Sequence, residues 1–501
     1  MARIAVVGAG MAAMAAAARL ATAGHEVVVH ERAQTHGGAV GRFARDGFAF
    51  DTGPGLLLLP AVYRDLFVKT GRESLEQSAG LVQIDPAGRH VLADGTDFTL
   101  PNASRSGLIE ALDAACGPGS GERWSEVMVR AREAWEATRR PLLEEALPTG
   151  PSDAAPLAAE PYPAAVSARR GLLRRGARRS RSLEEVGTRE LGDPRLAALL
   201  THYALSYGLD PRTAPASATV LPYVEQTFGV WYVPGGMRGL AEAVYERCRA
   251  RKVAFRFGTG VTRVLERAGR AAGVELADGS VHEADAVVVG AAPAEPAALA
   301  PYGAPGRLTV HLALRGARAA DAVHRTVVHA ADGAGEWGWV FGGRGSQAWR
   351  GAPSVTVLRP DDPGSRPDDG HEAVTLTATV PRHGTDAGAV DWDAAGVAEA
   401  VAERMVVAAE AAVPGLRSRE LWREIRTPAD VERATGAPGG SVPPPALAGA
   451  GGSLLRPANA APLPGLYLVG SWAHPGGGLP HSGMSGAIAA EQLTAVPLRS
   501  V

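Results

Sequence analysis

Cysteine is nearly missing from this chain. Its 501 residues hold two, Cys116 and Cys248, with no CxxC or Cys/His spacing. That excludes a disulfide framework and a cysteine-based zinc site, and no metal is expected. Lysine is equally scarce, at Lys69 and Lys252, so arginine carries the positive charge. Neither sign dominates: 51 basic residues stand against 53 acidic ones, a net charge of −2. A nucleic-acid binder would carry a basic excess, so nucleic acid is not expected as a partner. No run of 18 apolar residues occurs, which argues against a membrane span. A strand-like run starts at Arg3 and leaves no room for a signal peptide, which predicts a cytoplasmic protein. Aromatics are only 5% of the chain, yet 46% is hydrophobic, enough for a sizeable core. The length predicts two or three domains.

What is present is concentrated at the two ends. Ile4–Val7 is a short apolar run of the kind that forms a buried parallel strand. It leads into Gly8-Ala9-Gly10-Met11-Ala12-Ala13, a GxGxxA loop, and an alanine-rich helix over Met11–Thr22 that stops at Gly24. A second strand, Glu26–His30, ends on Glu31. Gly8 allows the tight turn and Gly10 a close approach of backbone to a pyrophosphate. Ala13 is small enough for the helix to pack on the strand, and the helix N-terminus offers N–H groups to phosphate. A carboxylate at Glu31 is placed to accept hydrogen bonds from ribose hydroxyls. Strand, loop, helix, strand and acid in this order predict dinucleotide binding.

The next residues favour FAD over NAD. Glu31-Arg32 is followed by Gly37-Gly38, Arg42 and Asp46-Gly47-Phe48-Ala49-Phe50-Asp51-Thr52-Gly53-Pro54-Gly55. The glycine pair lets the chain turn back across the pyrophosphate of an extended dinucleotide, and Arg42 is available to offset its charge. The Gly53-Pro54-Gly55 bend would bring bare backbone to a flavin ring. At the other end, Leu466–Val469 reads as a buried strand that ends at Gly470. Gly476–Gly478 form a bare loop, and a helix of small residues is expected to open over Gly483–Gly486, its N–H groups aimed at the flavin.

These motifs resemble those of the bacterial-type phytoene desaturase family, FAD-dependent oxidoreductases related to the flavin amine oxidases. Arg456-Pro457-Ala458-Asn459 and the run from Leu463 through Gly470-Ser471-Trp472-Ala473-His474-Pro475-Gly476-Gly477-Gly478-Leu479-Pro480 to Met484 carry the C-terminal part of the resemblance. It implies an α/β fold: a Rossmann-type, amine-oxidase-like FAD-binding domain with a discontinuous substrate domain of mixed sheet plus helices. The FAD domain is expected over 1–75, 225–300 and 456–501, and the substrate sheet over 76–110 and 301–455. A helical cap or tunnel-mouth segment is expected over 111–224. The resemblance further implies that Val261 meets the adenine, that Gly470, Ser471, Gly478, Leu479 and Met484 border the flavin, and that the substrate is a long apolar polyene. Ala39 after Gly38, Gly55 after Gly-Pro, and His481 after Pro480 depart from the desaturase pattern. Those departures resemble a secondary-metabolism branch, the reductive cyclases of polyene tetramate macrolactams, with NADPH as electron donor. The two readings of the substrate, carotenoid and macrolactam, stay open at this point.

No Ser/His/Asp set or carboxylate pair stands out. His474 and His481 are the candidate proton donors, and Trp231, Tyr232 and Trp472 the candidates to line a site for a flat conjugated substrate. Val82–Leu100 reads as a hairpin turning at Asp94-Gly95. Strands are expected near Leu308–Leu314, Val355–Leu358 and Val374–Val380, with a helix over Val397–Ala412. Residues 141–165, with six prolines, read as a loop. The arginine pairs of 169–181, flanking Leu172-Leu173, give either a solvated segment or a peripheral membrane contact.

Overall fold

A computed structural model describes residues 1–147, 151–165, 179–292, 304–342 and 349–495, with 151–154 described by backbone alone. Most of the arginine-rich stretch lies outside these residues; at its end Arg179 donates to the Glu160 carbonyl at 2.9 Å. No helix among the described residues is long and apolar enough to cross a membrane.

Three distant parts of the chain build one five-stranded parallel sheet. Its order is Ala254–Phe257, Glu26–Glu31, Arg3–Val7, Ala286–Val289, Leu466–Leu468. The three inner strands are nearly continuous Val/Ile/Ala runs because both faces are covered. On one face lies the helix Met11–Thr22; on the other, the antiparallel strands Val261–Arg267, Arg270–Leu276 and Val281–Glu283 pack through Val274 and Leu276 on Ala5, Val7 and Val287.

The alanines of Met11–Thr22 have a packing reason. The C-terminal helix, Leu479–Ala495, crosses it at backbone contact distance. A Cβ on Gly486 would stand 2.4 Å from the Ala12 carbonyl oxygen and 2.8 Å from the Ala16 nitrogen. Backbone cannot yield as a side chain can. Gly486→Val is therefore expected to cost about 3 kcal/mol or more through overpacking, read as a lower urea midpoint; an unchanged midpoint would contradict this crossing.

The helix starts at Leu479, one turn before the expected Gly483–Gly486 opening, because Gly478 at φ +110° ends the loop there. Gly486 serves the crossing instead, and Gly483 makes room for Val62 and Tyr63.

A second, seven-stranded mixed sheet has the order Glu420–Arg426, Gly306–Arg315, His371–Val380, Val355–Leu358, Arg325–Val328, Gly88–Val91, Asp97–Leu100. Leu308, Val310, Leu312 and Leu314 pack with Val374, Leu376 and the helix Val397–Ala409. Alternation then turns Arg307, Thr309 and His311 to the opposite face. The expected hairpin forms only in part. Gly88–Val91 and Asp97–Leu100 pair around the Asp94-Gly95 turn, whereas Val82–Gln83 pairs with Val230–Tyr232.

The described residues of the stretch 105–228 are largely helical. Arg105–Cys116, Ser120–Arg139, Pro194–Ser206 and Val220–Phe228 surround Trp124, Leu112, Leu199 and Leu200. The expected loop over 141–165 contains a helix, Pro151–Ala158. Its first proline, Pro151, sits where a missing N–H costs nothing, and the helix also accommodates Pro156 in its interior, so the proline count misled.

Candidate functional site

A cavity of about 710 Å³ runs from the Gly8–Ala13 loop to the gap between the seven-stranded sheet and the helical region. At its first end Gly8, at φ +87°, makes the turn and donates to the His30 carbonyl at 2.7 Å. Gly10 is extended and caps the helix with no side-chain bond, and a Cβ there would meet nothing within 4 Å. The first-turn N–H groups of Met11, Ala12 and Ala13 have no acceptor within the helix. Gly38 approaches so closely that its Cβ would lie 3.1 Å from the Gly10 Cα. Glu31 accepts from the Ala9 and Ala33 amides at 2.7 and 2.8 Å, which fixes its carboxylate and leaves each oxygen a second lone pair.

Further along, Arg42 donates to the Gly364 carbonyl at 3.1 Å, and Arg32 to the carbonyls of Arg433 and Ala434. Gly53 must be glycine, because a Cβ would stand 2.2 Å from the Ala39 carbonyl oxygen. Asp51 caps the helix Arg238–Ala250 by accepting from the Met237 and Arg238 amides at 2.9 and 3.2 Å. Burial pushes its pKa up to about 6.

An extended dinucleotide fits these residues. Bare amides and open space meet a phosphate at the helix N-terminus, a fixed carboxylate stands at the ribose position, and two glycine clusters border the rest.

The structure gathers most of the sequence candidates on this one cavity. Gly8, Gly10, Met11, Ala12, Ala13, Glu31, Arg32, Gly37, Gly38, Arg42, Gly53, Pro54, Gly55, Val261, Gly470, Ser471, Gly478, Leu479, Tyr232, Trp472 and His481 all line it. Three candidates do not. Met484 is one helical turn too far along and packs with Leu59, Val62 and Leu143. Trp231 turns away on its strand, donates to the Phe228 carbonyl at 3.0 Å and lies under the Arg64 guanidinium. His474 is fully buried behind the loop, with Nε2 3.0 Å from the Glu145 carbonyl oxygen.

His481 is different. Its Nδ1 is buried without a partner, and burial, together with the nearby His474, lowers its pKa to about 4, so it is neutral near pH 7. Tyr232 donates to Asp362 at 2.6 Å and is thereby held in place.

The far wall was not anticipated. Arg325 pairs with Glu225 at 2.5 and 2.9 Å, and the Tyr203 hydroxyl donates to the same carboxylate at 3.0 Å. His90 Nδ1 lies 3.0 Å from His329 Nε2, and the His202 ring is 5.2 Å from that of His329. The alternation Arg307-Leu308-Thr309-Val310-His311 was the sequence signal: one face of this strand is polar.

Buried histidines also set a pH dependence. His202, His311 and His474 are lowered by burial to about 4, 3 and 4. Unfolded, they titrate near 6.5, so between that pH and about 4 the unfolded chain binds more protons. Stability is full above pH 6.5 and falls as pH drops, by up to about 1.4 kcal/mol per pH unit for each histidine. Asp51 and Glu336, raised by burial to about 6 and about 7, work in the opposite sense but are fewer. The urea midpoint should fall between pH 7 and 5; a flat profile would contradict this.

A parallel sheet with a GxGxxA loop, a fixed acid and a cavity continuing into a second sheet defines an FAD-dependent oxidoreductase. Residues 11–401 match the family of flavin containing amine oxidoreductases, and the chain belongs to it. Within that family it is phytoene desaturase-like. It is 31% identical to the hydroxyneurosporene desaturase of Rubrivivax gelatinosus, over 98% of this chain and 93% of that protein. It is 32% identical to the zeta-carotene-forming phytoene desaturase of Myxococcus xanthus, over 58% of this chain and 53% of that one. Putrescine oxidase bound to putrescine shares the fold, with a TM-score of 0.63 at 15% identity over 99% of each chain.

Proposed function

We propose that this enzyme desaturates a long polyene-forming chain in carotenoid or related natural-product biosynthesis. The observation that carries the reading is the single cavity. It joins the dinucleotide loop to a space between the sheet and Trp135, Leu142, Leu143, Val220, Leu221 and Val224, an apolar wall suited to an extended hydrocarbon. The desaturase relatives supply the reaction class.

FAD, when bound, supplies the two-electron chemistry. The chain's residues do the rest. The amides of Met11–Ala13 and Glu31 hold the adenosine diphosphate half, with Val261 beside the adenine. Gly53–Gly55 and Gly470–Leu479 border the ring half. His481, neutral and half-buried, borders the cavity as the candidate to exchange a proton, and Trp472 and Tyr232 flank the substrate space. The FAD domain is taken as 1–75, 225–300 and 456–501, with the substrate sheet over 76–110 and 301–455 and the cap over 111–224. A peripheral membrane approach by the cap would deliver an apolar substrate.

A second reading, NADPH-dependent reductive cyclisation of a polyene tetramate macrolactam, is favoured by the polar wall around Arg325 and by Gly55 and His481. The two separate in one anaerobic experiment with FAD-loaded enzyme. Oxidation of a phytoene-like polyene that needs an electron acceptor and no NADPH supports desaturation. NADPH consumption that depends on the macrolactam and yields a cyclised product replaces it with the second reading.

A further inference from the structure

The cavity wall formed by the seven-stranded sheet carries an ordered row of side chains. Arg426 is opposite Thr309, Thr309 opposite Thr377, and Thr377 opposite Thr356. Thr356 is opposite Val327, which pairs with His90. All six line the cavity. Adjacent strands lie about 4.8 Å apart, so the row spans about 24 Å. One step along the strand, Arg307 is opposite Thr379, and both also line the cavity. Arg307 and Arg426 are diagonal neighbours on one face, with Cα atoms about 7–8 Å apart by sheet geometry.

This row is costly for a pure hydrocarbon. The Thr309 and Thr377 hydroxyls have no hydrogen-bond partner among the described residues, and Arg426 Nε is buried without one. Arg307 donates to the Ser206 carbonyl through one terminal nitrogen, but neither Arg307 nor Arg426 has a carboxylate within 4.0 Å among the described residues, while the cavity's Glu225 is taken by Arg325. Burial lowers the Arg307 pKa. A guanidinium withdrawn from bulk water needs an anion or strong acceptors to offset its lost hydration. Two forks side by side, with threonine donors between them, suit a planar delocalised oxyanion.

We propose that the substrate is a polyene bearing an acidic oxygen group, a carboxylate or the enolate of a 1,3-dicarbonyl, and that Arg307 and Arg426 hold that group while the polyene lies along the sheet. This rests on the polyene reading given above. The alternation of the strand makes the subsite possible: Leu308 and Val310 pack the core while their neighbours face the ligand.

The test uses full-length, FAD-loaded enzyme and three probes: all-trans-retinoic acid, its methyl ester and lycopene, each followed by flavin absorbance and tryptophan quenching. The acid is expected to bind about tenfold or more tighter than the ester, the scale of one charge-assisted contact. Arg307→Met and Arg426→Met should each erase that preference while FAD stays bound at wild-type stoichiometry. Arg307→Lys, which keeps the charge, should keep part of it and serves if a methionine variant fails to fold. Equal binding of acid and ester overturns the proposal, as does an equal loss for both in the arginine variants. Loss of FAD from Arg426→Met would reassign that residue to the cofactor and overturn it too. Lycopene bound or oxidised without any preference for the acid sinks this inference and leaves the polyene reading standing. If none of the three binds, the polyene reading falls with it.

Discussion

Gly10→Val is expected to leave the ligand-free protein as stable as the parent and to abolish FAD retention. The separation of the two effects is the point. Gly10 adopts φ −75° and ψ 169°, a conformation open to every residue, and a Cβ there meets nothing within 4 Å. The folded chain without ligand therefore has no steric objection to valine. The added methyls would occupy the space in front of the Met11–Ala13 amides, where a pyrophosphate must come to accept their hydrogen bonds. Losing two charge-assisted bonds weakens FAD binding by about a hundredfold or more. The measurement pairs urea unfolding of the FAD-free variant with flavin titration by fluorescence. An unchanged affinity would remove Gly10 from the phosphate site. A large loss of stability would mean that the loop is packed more tightly than its geometry indicates. Gly53→Ala is the contrast: its Cβ would sit 2.2 Å from the Ala39 carbonyl oxygen, so the ligand-free fold itself should suffer.

The dinucleotide end was legible because each requirement there is local. A turn at Gly8, a bare Gly10, a helix start at Met11 and an acid on the second strand follow one another within 31 residues, and each answers a separate steric or electrostatic demand. The same local logic located the strands at 355–358 and 371–380 to within a few residues. It failed where partners are remote. Trp231 and Tyr232 are adjacent on one strand, so they point to opposite faces, and only the tertiary fold says which face meets the cavity. His474 and His481 share a glycine-rich stretch, yet one is walled off by the Glu145 carbonyl and the other borders the cavity. The polar wall was least visible. Arg325 and Glu225 are 100 positions apart, and Arg307, Thr377 and Arg426 meet only because the sheet order interleaves strands from distant parts of the chain.

Arg325→Met should be the most destabilising single change in that wall. The Arg325 and Glu225 side chains are 16% and 7% exposed, and they join the helix Val220–Phe228 to the strand Arg325–Val328 across the cavity. Arg325 also donates to the Ala87 carbonyl at 2.9 Å, which ties in the start of the Gly88–Val91 strand. Methionine fills much of the arginine volume but leaves the Glu225 carboxylate with the Tyr203 hydroxyl as its one donor. An unpaired buried carboxylate costs about 3–5 kcal/mol, far more than the pair itself contributes, because pairing mostly repays desolvation. The double variant Arg325→Met/Glu225→Leu removes both charges and should recover most of the loss, with a coupling energy above about 2 kcal/mol in a double-mutant cycle. If each single variant instead costs under about 1 kcal/mol and the two add, cavity water is solvating both groups and the pair does not bind helix to sheet. If the double variant is stable yet no longer binds a polyene, Arg325 and Glu225 are retained for the ligand, at a stability cost the protein accepts.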